Sequence, residues 1–143
     1  MAENNLEKIL QIYLTDLFVV YMKVYKYHWN VKGEGFLSVH TFYNDVFDSL
    51  SEIIDATAER MRQLGFYAPC SAMEFCSLST IKEVAGFDKT IDETLVDVVA
   101  DLNSLNVSLQ NIYKVLDEGS LALFTTHDLI LSKHQWFAKS MID

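Results

Sequence analysis

Residues 27–65 read YHWNVKGEGFLSVHTFYNDVFDSLSEIIDATAERMRQLG: a helix end, a glycine break and a second long helix in succession. The break is Val31-Lys-Gly-Glu-Gly-Phe36, where two glycines within three residues disfavour helix. Upstream, Leu6, Leu10, Tyr13, Leu17, Tyr21, Val24 and His28 recur at steps of three and four, the spacing of one helical face. Downstream, a second helix is expected from about Ser38, with Tyr43, Phe47, Leu50, Ile54, Ala58 and Met61 on one stripe. Gly65, with Pro69 just beyond, marks its end.

Residues 66–90 read as an irregular connection. Inside it, Ser71 with Glu74 forms a capping box, which predicts a short helix. Thr90 with Glu93 is a second capping box and opens a third long helix carrying Leu95, Val98, Val99, Leu102, Leu105, Leu109, Ile112 and Leu116. Gly119 stands where that helix is expected to end. A fourth helix from about residue 121 carries Leu129, Trp136 and Phe137; the last two, like the tyrosines of the first helix, are expected in core or interface packing. The spacing is helical nearly throughout, so the fold class is all-α, and the longest connection lies between helices two and three. The specific expectation is a ferritin-like four-helix bundle with one crossover and a short extra helix inside it. The whole chain, residues 1–143, reads as one domain, with no strand pattern, repeat or low-complexity segment.

Half of the residues are hydrophobic and only one is proline, which argues for a packed domain. No run approaches the roughly 18 apolar residues that span a bilayer, and the N-terminus lacks secretory features, so a cytoplasmic protein without membrane contact is expected. Cys70 and Cys76 are too few for a disulfide framework and read as reduced thiols. The formal net charge of −9 repels phosphate backbones and attracts cations.

A polar stripe on the second helix, His40, Asn44, Asp48, Glu52, Asp55 and Glu59, carries the candidate chemistry. A row of acids alone is a solvated face, and each histidine alone is a core or surface residue. Together, imidazole nitrogen and carboxylate oxygen form a ligand set suited to iron and similar divalent metals. The hairpin brings His28 and His40 together, and Asp55 and Glu59, one turn apart, can grip one ion. At about 1.5 Å per residue, however, Asp55 lies roughly 22 Å along the helix from His40, and Glu59 about 28 Å. Two copies related by a twofold axis, with antiparallel second helices, would bring the four groups together twice. No Glu-x-x-His tetrapeptide of the kind that builds intrabundle di-iron sites occurs in the chain.

Tyr27-His-Trp-Asn-Val-Lys-Gly33, Phe36, His40, Asp55-Ala-Thr-Ala-Glu-Arg60 and Leu64-Gly65, with the tail Lys133-His-Gln-Trp136-Phe, resemble the Dps mini-ferritins over almost the whole chain. The resemblance implies a hollow shell of twelve copies. In it, ferrous iron is oxidised at dimer interfaces, usually by hydrogen peroxide, and stored as ferric mineral. His28 and His40 would come from one copy, and Asp55 and Glu59 from its neighbour, with Trp29 beside the site as a sink for stray oxidising equivalents. The family commonly has aspartate where this chain has Asn44, which removes a charge from a second metal position. The family's threefold channels lie around the junction of helices three and four, which points to Asp117, Glu118 and Asp128 as pore residues.

Relatives that bind DNA commonly do so through a basic terminal extension, and here only Lys8 lies early in the chain. Charge therefore argues against direct DNA binding, softened only if Lys23, Lys26 and Lys32 form a patch. Two alternatives remain at the level of sequence: a DNA-compacting shell with a vestigial iron site, and a helical oligomer recognised by other proteins. His127 and His134 have no evident partners and read as structural or exposed.

Overall fold

The computed structural model describes residues 2–142. Among them, helices are the only regular elements: α1 (Ala2–Asn30), α2 (Phe36–Gln63), α3 (Ala72–Leu78), α4 (Ile91–Tyr113) and α5 (Glu118–Met141). α1 and α2 form one antiparallel hairpin and α4 and α5 the other, joined through α1 against α4. Tyr27 meets Asp97 and Lys23 meets Asp101, so α4 also runs antiparallel to α1 and hence parallel to α2. The long 64–90 crossover makes that parallel pairing possible, and the short α3 lies within it against α1.

Why each helix begins where it does is visible locally. Gly35, at φ 82, turns the chain into α2, two residues before the start expected from sequence. Ser71 caps α3 and Thr90 caps α4, the latter with the full reciprocal box to Glu93. The fourth long helix departs from expectation. α4 ends at Tyr113, and α5 begins at Glu118 behind Asp117, whose carboxylate accepts from the Ser120 amide. Gly119 therefore lies in the first turn of α5 instead of closing α4. A side chain there would press on Arg60 Nη2 at 3.1 Å and on Asp117 Oδ2 at 3.2 Å.

The core joins Leu10, Tyr13, Leu17 and Val24 of α1 to Tyr43, Val46, Leu50 and Met61 of α2 and Leu95, Val98, Leu102 and Leu109 of α4. From α5 it takes Phe124, Leu131 and Ala138. The buried stripe of α5 is Ser120, Phe124, His127, Leu131, His134 and Ala138, so both histidines point inward. Trp136 and Phe137, expected in packing contacts, are exposed within the chain, as is Leu129.

Polar side chains on α1 hold the crossover. The Asp16 carboxylate accepts from Ser79 Oγ at 2.7 Å, from the Thr80 amide at 2.6 Å and from Thr80 Oγ1 at 2.7 Å. Lys23 donates to the Lys82 carbonyl at 2.9 Å and pairs with Asp101 at 2.6 Å, while Lys26 donates to the Val84 carbonyl. Two of the three lysines considered as a basic patch are thus engaged in holding the chain's own loop. Among the described residues, no helix is long and apolar enough to cross a membrane.

Candidate metal centre

Where α1 ends and α2 begins, the His28 and His40 rings stack at 3.6 Å with their planes 16° apart. Each Nδ1 lies 2.8 Å from the other residue's main-chain carbonyl oxygen. A carbonyl oxygen only accepts, so both Nδ1 atoms carry hydrogen and both Nε2 lone pairs are left for a ligand. Neither Nε2 has a hydrogen-bond partner among the described residues. His28 is buried and His40 half-buried, so the pair is fixed by the fold before any ion arrives.

Aromatic packing braces this pair. Phe47 meets His28 edge-on at 5.0 Å and stacks on Tyr25 at 4.0 Å, and Phe36 lies 5.0 Å from His40. Tyr25 also contacts Trp29, which is 68% exposed. Tyr25 and Phe47 were not among the site residues legible in the sequence. Their spacing from His28 and His40 identifies only a shared helix face.

Asp55 and Glu59 are exposed and lie farther along α2. Among the described residues, no group of three or more His, Cys, Asp or Glu is close enough to hold one ion. A single chain thus brings the two histidines together and leaves both carboxylates away from them, as the helix rise requires. A groove of about 870 Å³ opens nearby, between Lys32, Glu34, Ser38, Asp88 and Asp92, but neither histidine lines it.

Asn44, one turn after His40, donates from Nδ2 to Asp48 Oδ2 at 3.0 Å. At the other end of α2, Arg60 next to Glu59 binds Ser120 Oγ at 2.8 Å and Asp117 Oδ2 at 2.9 Å. The Ser120 hydroxyl first, and Arg60 after it, hold the Asp117 carboxyl below its ordinary range. Of the three acids considered for a pore, Asp117 is therefore occupied as a cap, and Asp128 is half-buried and accepts from Ser132. Glu118 is exposed in the first turn of α5.

Both remaining histidines belong to the core. Burial pushes His127 down to about 4, and its Nδ1 has no partner. His134 binds Ser49 Oγ through Nε2 at 2.9 Å, and burial lowers it as well. Neither is grouped with carboxylates that could share an ion. Cys70 and Cys76 are exposed free thiols.

A family model described as the ferritin-like domain matches residues 7–143. The antigen TpF1 of Treponema pallidum is 37% identical over 97 residues, covering 68% of this chain. That match spans about half, 55%, of the antigen's length. The solved structure of TpF1 superposes with a TM-score of 0.93 at 29% identity, covering 99% of this chain and 94% of the other. The DNA protection during starvation protein of Helicobacter pylori is 28% identical over 129 residues, 90% of each chain. The Dps protein of Vibrio cholerae O1, described as a member of a broad superfamily of ferritin-like diiron-carboxylate proteins, shares the fold. Its TM-score is 0.89 at 24% identity, covering 97% of this chain and 89% of that one. Parallel α2 and α4 joined by a long crossover, matched by that model over nearly the full length, place the protein in the ferritin-like class. Within that class, the chain belongs to the Dps family.

Proposed function

We propose that the protein is an iron-oxidising, iron-storing shell whose reactive sites are each shared between two copies of the chain. The observation that carries this reading is the locked histidine pair. Two Nε2 lone pairs are left without a partner, and among the described residues the chain's own carboxylates do not join them. In the twofold arrangement, His28 and His40 of one copy face Asp55 and Glu59 of the other. Their nitrogen and oxygen donors suit ferrous iron, the substrate. Imidazole fixed in one tautomer binds without first reorganising, and the carboxylates favour the ferric product through their charge. With hydrogen peroxide as oxidant, two Fe²⁺ give up one electron each, the O–O bond breaks, and two protons complete two waters.

The shell is a closed assembly of twelve, and the ferric mineral collects inside it. The net charge of −9 per chain supports attraction of cations and opposes contact with DNA. Glu118, exposed at the start of α5, is the acid best placed to guide iron through the wall. The physiological role is protection against peroxide together with iron storage, in the cytoplasm.

A mixed assembly tests the sharing directly. A His28→Ala/His40→Ala chain and an Asp55→Asn/Glu59→Gln chain are each expected to form shells that fail to oxidise Fe²⁺ after anaerobic loading and peroxide addition. Co-assembled at equal ratio, half of the dimers are mixed, and each mixed dimer regains one of its two sites. About a quarter of the wild-type sites should return. No recovery in shells shown to be mixed would mean that the site is not built from two copies.

A further inference from the structure

We propose that Asp48, oriented by Asn44, is a further metal ligand of the shared site and holds a second ion one turn closer to the twofold axis. The inference rests on the shared-site reading above. Asn44 stands in the polar stripe directly after His40, and its Nδ2 donates to Asp48 Oδ2 at 3.0 Å. That bond uses the amide nitrogen and one carboxylate oxygen. It leaves Asp48 Oδ1 and Asn44 Oδ1, both acceptors, free to face a cation. Asp48 is exposed, so its charge is not consumed inside the chain.

Register and charge point the same way. If His40 of one α2 lies level with Glu59 of an antiparallel α2, then position 44 lies level with 55 and position 48 with 51. Asp48 then stands about 6 Å, one helical turn, along the axis from Asp55 of the second copy. Side chains lean toward the N-terminus of their own helix, so Asp48 leans toward that carboxylate. Two ferrous ions carry four positive charges. Neutral histidines with Asp55 and Glu59 offset two of them, which suffices for one ion. Asp48 supplies the next negative charge, and Asn44, uncharged, acts as a positioning residue for it.

Zn²⁺ tests this without redox turnover. Calorimetric titration of the assembled wild type should show two ions per shared site. Asp48→Asn should lose the second and keep the first, and His28→Ala/His40→Ala should lose the first. Asn44→Ala should weaken the second ion by about tenfold. It should also change the absorption of the second Co²⁺ equivalent. Shell size in every variant is checked by size-exclusion chromatography. If Asp48→Asn matches wild type while the histidine variant loses zinc, the Asp48 inference falls and the shared site stands. If wild type binds no zinc at the histidines, the shared-site reading itself fails, and the inference with it.

Discussion

Acidification should weaken this fold through His127, and one substitution isolates the effect. The residue is 3% exposed on the core stripe of α5, beside the Phe124 ring at 5.3 Å, with Nδ1 unpaired. Its ordinary value is 6.5, and burial lowers it to about 4 in the folded chain. Between those values the unfolded chain binds a proton that the folded chain refuses, so stability falls as pH falls through the window. At about 1.36 kcal/mol per pH unit, the full loss is about 3 kcal/mol, of which about 2 kcal/mol arrives between pH 7 and pH 5. Below about pH 4 both states are protonated and this contribution stops changing. His127→Leu keeps the volume and removes the titrating group. Urea midpoints of wild type and variant, followed by circular dichroism at pH 7 and pH 5 and at one fixed protein concentration, give the difference. The variant should lose about 2 kcal/mol less than wild type over that interval. Equal losses would show that His127 charges without cost, and the account of its burial would be wrong.

Three other expectations follow from named contacts. Lys23→Met should cost about 3–5 kcal/mol in urea unfolding, because it leaves Asp101 charged and without its cation. Burial already holds Asp101 above its ordinary range. Lys23→Met/Asp101→Asn should recover most of that loss, and no recovery would refute the charge argument. Asp117→Ala should lower stability by about 1 kcal/mol, through loss of the α5 cap, and Asp117→Asn by clearly less. Tyr43→Phe removes a 2.7 Å hydrogen bond to buried Thr94 and should cost about 1 kcal/mol in thermal unfolding, without altering the helical content.

Two capping boxes, two glycines and a run of three-four spacings made most of the helices legible. Ser71 and Thr90 start α3 and α4 by bonds within four residues, so their sequence neighbourhood contains all the physics. Gly119 misled because its reason is not local. A glycine after a helix ordinarily supplies a left-handed turn, whereas this one makes room for Arg60, which arrives from α2. The core stripe of α5 was hidden for a related reason. It contains Ser120, His127 and His134 alongside Phe124 and Leu131, and a polar residue on a buried face looks like a solvated one until its partner is known. His134 finds Ser49, far away in the chain. The meeting of His28 with His40 was legible from the short glycine loop. Their mutual carbonyl bonds and the Asn44–Asp48 bond were not, since rotamers decide them.

The separation of donors along α2 bears on control as well as geometry. A chain that held His28, His40, Asp55 and Glu59 around one point would bind iron as soon as it folded. Here the nitrogen pair and the carboxylates lie about 22 to 28 Å apart along the helix, so among the described residues one chain does not gather them. Under the shared-site reading, a lone chain offers the first ion two imidazoles and neither Asp55 nor Glu59, a set of low charge that holds Fe²⁺ weakly. Oxidation then begins only where two chains have met. The aromatic bracing of the histidines by Phe47, Tyr25 and Phe36 serves the same end. With the rings already stacked and each Nδ1 already bonded, the incoming copy has only to deliver its carboxylates. On that reading, loss of ligand freedom on metal binding is small, and affinity is a property of the interface rather than of either chain.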